Sequence, residues 1–180
     1  MAAKQIKYIP SQELSFEEDY FVISVSASLP DFKLAWLLNE KTNTGFERVD
    51  AMPSYDETKG AVCELPLFMW SPYETVSYYL CQRPGQNSLF TASFIIIQGG
   101  EKPENIDTFI AQIEALTDFI GLVEIVPLST ASRNKRLRDY IKSVNNLLSD
   151  LEVHSASLKK EDALSMKERR ILPVKWRGPK

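Results

Sequence analysis

Hydrophobic and polar residues along this chain fall into short blocks whose period changes several times. Tyr20 to Ala27 is dense in aromatic and β-branched residues and predicts a strand. Ser28 and Pro30 then open a helix, with Ser28 as its N-cap and Asp31 favourable in the first turn. Phe32, Leu34, Ala35, Trp36, Leu37 and Leu38 carry apolar character around most of that helix. This predicts burial on more than one side, Trp36 in the core, and an end near Asn43. Phe46 to Met52 alternates apolar and charged positions, as a half-buried strand does. Ala61–Trp70 and Glu74–Cys81 are two further apolar runs. The Ser71-Pro72-Tyr73 between them predicts a hairpin turning about Pro72, and Pro66 predicts an edge strand or a bulge. A loop is expected at 84–87. Thr91 to Gln98, with Ile95, Ile96 and Ile97, predicts a central strand covered on both faces.

A second helix follows Gly99-Gly100, with Pro103 in its first turn and Glu104 and Asp107 suited to its dipole. Ile106, Phe109, Ile110, Ile113, Leu116 and Ile120 form its apolar stripe, and Gly121 is the expected C-terminal cap. Leu122 to Leu128 predicts a last short strand. From Ser129 or Thr130 a longer helix is expected, in which Leu137, Tyr140, Val144, Leu147 and Leu151 repeat at heptad spacing; Ile141 and Leu148 widen the stripe. The order β-α-β-β-β-β-α-β, then helix, predicts an α+β fold: a mainly antiparallel sheet with helices packed on one face, followed by a C-terminal helical extension. The expected division is a loose N-terminal arm (1–13), an α+β domain (14–131) and a basic helical extension (132–180).

Composition alters this picture mainly by exclusion. The chain has 180 residues with 44% hydrophobic and 25% charged, enough for one domain and a sizeable core. No apolar run is long enough to span a membrane, and the first ten residues hold no signal-like apolar core. With two cysteines and one histidine the expected compartment is the cytoplasm. Neither a disulfide scaffold, a zinc site nor an imidazole-based triad is indicated. No glycine-rich phosphate motif occurs. No cofactor, metal, catalytic residue or small-molecule substrate is therefore assigned.

Charge changes the picture more. Residues 1–132 carry 8 Lys and Arg against 18 Asp and Glu, a net −10, while residues 133–180 carry 13 against 6, a net +7. An acidic body thus adjoins a basic tail. Arg133, Lys135, Arg136 and Arg138 stand where a helix dipole prefers anions, an inversion that either a solvated basic face or an anionic partner would explain. Further on, Arg169 and Arg170 interleave with apolar residues, and Trp176 is the natural anchor of a docking tail, against the plainer reading of a loose terminus.

Other candidates have plain structural readings. Asp31 and Asn39 could flank a pocket beside Trp36, but helix-end preferences already explain them. If the hairpin turns about Pro72, Cys63 falls opposite Cys81, as a redox pair or two ordinary buried thiols. Glu17-Glu18-Asp19 and Asp50 with Asp56-Glu57 are acidic clusters without calcium-loop spacing, best read as solvated faces. His154 is expected near the end of the long helix, against the helix C-terminus or solvent.

The helix Asp31-Phe32-Lys33-Leu34-Ala35-Trp36-Leu37-Leu38-Asn39 resembles the DxxLAWxLN-like helix of a small bacterial family typical of Bacteroidetes, named for an IPExxxVDY motif. Phe46-Glu47-Arg48-Val49-Asp50 and Tyr78-Tyr79-Leu80 are similar to its following strands. Of the naming motif, Ile120 and Val126 keep the first and seventh positions. Gly121-Leu122 replace its Pro-Glu, and Pro127-Leu128 its Asp-Tyr. The likeness covers roughly residues 14–135 and implies a cytoplasmic bacterial protein, with no activity to carry over.

The functional expectation is a non-enzymatic interaction or adaptor protein. Its basic amphipathic helix and tail would bind another copy, giving a homo-oligomer, or another protein, through Arg133, Arg136, Leu137, Tyr140, Val144, Leu147, Leu151, Arg169, Arg170 and Trp176. The alternative is a nucleic-acid- or ribosome-associated protein that binds phosphates through the same basic segment. An enzyme whose site is assembled only in space is a third reading. No membrane partner is expected.

Overall fold

Phe94 and Ile96 point to one side of a strand and Ile95 and Ile97 to the other, all four buried, so the sheet holding that strand must be covered on both faces. The computed structural model, which describes residues 16, 19–56, 60–83, 91–99, 105–129 and 133–171, shows this arrangement. The elements in chain order are β1 (Tyr20–Ala27), α1 (Asp31–Thr42), β2 (Glu47–Asp56), β3 (Ala61–Tyr73), β4 (Val76–Arg83), β5 (Thr91–Gln98), α2 (Ile106–Glu114), β6 (Ile120–Ile125) and α3 (Lys135–Ile171). The six strands form one sheet in the order β2-β3-β4-β5-β1-β6, every neighbouring pair antiparallel. The fold is α+β. The expected features at 1–13, 84–87, Pro103, Glu104, Thr130 and Trp176 lie outside the described residues, as do the side chains of α3 beyond Leu158.

One face is covered by α1 and α2. Leu34, Ala35 and Leu38 of α1, with Ile106 and Ile113 of α2, pack on Ile23, Val25, Leu80, Ile95 and Ile97. Asn43 closes α1 in the left-handed conformation (φ 53°). Asn39 ties the end of α1 to β2. Its Oδ1 accepts from the Phe46 N–H at 2.8 Å and its Nδ2 donates to the Phe46 carbonyl at 3.0 Å, so its role is structural and no pocket is needed to explain it.

The opposite face is closed by α3. Val144, Leu147, Leu148 and Leu151 pack on Val22, Met52, Leu65, Leu67, Tyr79, Phe94 and Ile96. The first half of α3, expected as part of a C-terminal helical extension after the domain, is therefore a core element. From Val144 to Leu151 its heptad stripe is covered by the protein's own sheet.

Several local expectations are corrected. Trp36 is 63% and Phe32 56% exposed: at i and i+4 they share the outer face of α1, away from its buried residues, so Trp36 is not core. Pro30, not Ser28, holds the N-cap position of α1, and Ser28 Oγ instead donates to the Phe119 carbonyl at 3.3 Å. The hairpin turns at Glu74-Thr75, with Tyr73 opposite Val76. There Gly99 (φ +152°) is required, since a Cβ would stand 2.8 Å from the Thr75 carbonyl oxygen. α2 ends at Glu114, and Ile120, expected on its stripe, begins β6 opposite Ala27. Gly121 accordingly lies in a strand, beside a register shift, and caps no helix. α3 begins at Lys135 rather than near Ser129.

Pro66 lies within β3, an interior strand, so its mark is a bulge and not an edge. The β2–β3 register shifts by one residue between Val49 and Met52, opposite Pro66, which has no N–H to give to a ladder.

Candidate interaction surface

Asn134 organises the start of α3. Its side-chain oxygen accepts from the N–H groups of Arg136 (3.0 Å) and Leu137 (3.4 Å), and its carbonyl accepts from the Arg138 N–H. Around this cap Arg133, Lys135, Arg136 and Arg138 are all exposed. The Arg138 guanidinium donates back to the Arg133 carbonyl at 3.2 Å, which holds the two arginines together. The cations expected at this helix start are thus gathered at one corner of the molecule, against the local dipole preference.

Beside them lies an open groove of about 420 Å³, lined by Glu124, Ile125, Val126, Pro127, Leu137 and Tyr140. It forms where α3 approaches the outer strand β6. Tyr140 is 38% exposed, and its ring centroid lies 6.5 Å from that of Phe94. Ile125 is 50% exposed. One turn before Tyr140, Arg136 shares its side of the helix. Asn145 Nδ2 donates to the Leu128 carbonyl at 3.4 Å, while its Oδ1 is buried without a partner among the described residues.

The ten residues assigned to interaction therefore separate. Leu137 and Tyr140 line the groove, Arg136 stands one turn before Tyr140 on the same side of α3, and Arg133 lies exposed just before the helix. Val144, Leu147 and Leu151 do not line it: they are 1%, 4% and 0% exposed in the protein's own core. Covering a sheet face as apolar as Phe94 and Ile96 make it requires such a stripe, so these three residues are unavailable to a partner in this fold. Arg169 and Arg170 lie in the distal backbone of α3, and Trp176 lies outside the described residues.

The two cysteines are not opposite one another. Cys81 pairs with Leu67 and Cys63 with Ser54 of β2. Four residues of strand separate Cys63 from Leu67, about 13 Å of rise, so no disulfide or redox pair can form without rebuilding the sheet. Cys63 Sγ donates to the Ser54 carbonyl at 3.4 Å.

A polar cluster under α3 carries no signal in the sequence beyond its strand alternation. Gln98 Nε2 donates to Tyr20 Oη at 2.9 Å, and Tyr79 Oη donates to Gln98 Oε1 at 3.3 Å. Burial, with the nearby Glu152 carboxylate, pushes the Tyr20 phenol up to about 12. Burial also raises Tyr79 and Tyr78. All three hydroxyls stay protonated at neutral pH, and those of Tyr20 and Tyr79 serve as hydrogen-bonding ties inside the core. Among the described residues no group of three or more His, Cys, Asp and Glu side chains could hold a metal ion, and no helix is long and apolar enough to cross a membrane.

No protein-family model matches the chain, and no curated protein or solved structure matches it significantly.

Proposed function

We propose that this chain is a non-enzymatic interaction protein that docks another copy or another protein through the groove between β6 and the start of α3. One observation carries the reading. Four exposed cations stand at a helix start that disfavours them, beside an open groove whose lining includes the half-exposed Ile125 and Tyr140. Interfaces favour this mixture of Arg and Tyr around an apolar centre. Residues 1–132 are net −10, so a partner of opposite charge is drawn to this basic corner rather than to the body. The distal part of α3, from Leu158 to Ile171, with Arg169 and Arg170, and the tail with Trp176 add further basic contacts in this proposal. A cytoplasmic setting and distant descent from the IPExxxVDY family belong to the same proposal.

The cluster Arg133 to Arg138 equally motivates a second reading, phosphate binding on nucleic acid, which the net −10 of residues 1–132 disfavours. Affinity capture on the immobilised 180-residue chain separates the two. It is run beside a chain carrying Arg133→Glu and Arg136→Glu, with and without nuclease. The expected result is protein retained by the parent chain, lost on charge reversal and insensitive to nuclease. Retention unaffected by charge reversal contradicts the proposal, and loss on nuclease treatment favours nucleic acid.

A further inference from the structure

The sheet has two outer strands, and they are not alike. β2 is guarded along its edge by Glu47, Arg48 and Asp50, by Pro53, and by the bulge after Val49. Within that bulge His154 of α3 lies 3.1 Å from the Asp50 carbonyl oxygen. β6, Ile-Gly-Leu-Val-Glu-Ile, carries a single charge, Glu124, and leaves Leu122 54% and Ile125 50% exposed.

The direction of its free backbone groups follows from one hydrogen bond. The Val126 N–H donates to the Val22 carbonyl at 2.9 Å, continuing the register that sets Ile125 opposite Ile23 and Glu124 opposite Ser24. In an antiparallel ladder, hydrogen-bonded and non-hydrogen-bonded pairs alternate. Glu124 therefore turns its N–H and C=O toward β1, whereas Val123 and Ile125 turn theirs outward. Pro127 takes the next outward position without an N–H, so it ends the open edge beside the groove.

We propose that β6 receives an extended, acidic and apolar segment of a partner protein as a seventh strand, hydrogen-bonded to Val123 and Ile125. The inference rests on the docking reading above and specifies how the partner is held. Side chains alternate along an added strand. Those on the α3 side enter the groove between Glu124 and Tyr140, within reach of Leu137, and acidic ones meet Arg133 and Arg136 at its rim. Charge decides the occupant. Residues 1–15, with two lysines and one glutamate, and residues 172–180, with three cations and no acid, do not suit this rim. Main-chain bonds supply the affinity of such additions, and the alternate pockets supply the specificity.

The test uses the whole chain and four eight-residue probes with capped ends: alternating Glu and Val, alternating Lys and Val, and the Glu-Val peptide N-methylated at alternate residues in one phase and in the other. Binding is read by fluorescence anisotropy. The Glu-Val peptide should bind, the Lys-Val peptide should not, and N-methylation in one phase should weaken binding about tenfold, the worth of one or two main-chain hydrogen bonds. Ile125→Pro, which removes an outward N–H and no ladder bond, should weaken it similarly, while Ile125→Ala retains it. If Ile125→Pro does not fold, the N-methylated peptides decide on the unaltered chain. Equal binding of the methylated and unmethylated peptides overturns strand addition. If Arg133→Glu with Arg136→Glu still abolishes that binding, the docking reading survives without it. No binding of the Glu-Val peptide also overturns strand addition.

Discussion

His154 Nε2 stands 3.1 Å from the carbonyl oxygen of Asp50, joining the single histidine of the chain to a bulge in the outer strand β2. A carbonyl only accepts, so the imidazole donates. The break in the β2–β3 ladder faces Pro66, which has no N–H, and a helix from the opposite end of the sequence supplies a donor there. Asp150, one turn earlier on α3, accepts from Ser54 Oγ at 2.9 Å on the same strand. His154→Ala should therefore cost about 1 kcal/mol, the worth of one partly exposed hydrogen bond. It should also raise amide exchange around Ala51 and Met52 more than at Ile95. Unchanged exchange at the bulge would show that the contact contributes nothing.

Because α3 supplies one of the two layers covering the sheet, shortening the chain after residue 132 should not release an intact domain. It bares Val22, Leu67, Phe94 and Ile96 to water, and the expected product lacks a cooperative thermal transition. Leu148→Ala and Leu151→Ala, each at a position with 0% exposure, should cost about 2–5 kcal/mol in denaturant titrations. A truncated chain that melts as sharply as the parent would place α3 outside the fold.

Trp36→Ala should change stability by no more than about 0.5 kcal/mol, because the indole is 63% exposed and its removal opens no cavity. A loss of several kcal/mol would restore the core position that the apolar pattern of α1 suggested.

Alkaline stability should report on Tyr20. Its pKa in the fold is about 12 against 10.0 ordinarily, raised first by burial and then by Glu152. The folded state thus holds a proton that the unfolded chain releases. This contribution is fully present below pH 10 and is lost as pH rises toward 12. Two pH units would give about 2.7 kcal/mol for a dry site; with partial screening the expected loss is on the order of 1 kcal/mol. Tyr20→Phe should lower stability at pH 7 and flatten the decline above pH 10. An equal decline in both chains would assign it to other groups.

The strands were legible because β-branched and aromatic blocks such as Tyr20–Ala27 and Thr91–Gln98 have few other ways to bury themselves. The stripe of α3 was equally legible, but periodicity identifies an apolar face and not what covers it. Val144, Leu147 and Leu151 read the same whether their cover is a second chain or their own sheet. The clue lay in Thr91–Gln98: a strand apolar on both faces needs two covers, and α1 with α2 supplies one. Trp36 misled because a helix apolar in composition can still turn two aromatics outward at i and i+4. The facing of Cys63 and Cys81 failed because the hairpin turns at Glu74-Thr75, which moves the register. The groove had only half a signal. Leu137 and Tyr140 stood out in sequence, but their neighbours Glu124 to Pro127 come from another element, and no spacing links the two.

Whether partners meet this protein at the corner made by β6 and the start of α3 is decided by a photo-crosslinking amino acid placed in turn at the exposed positions Tyr140, Trp36 and Val153. In producing cells, position 140 should give a discrete adduct with another protein or a second copy that disappears with Arg133→Glu and Arg136→Glu, while positions 36 and 153 give none. An adduct at 36 or 153 with none at 140 would contradict the account.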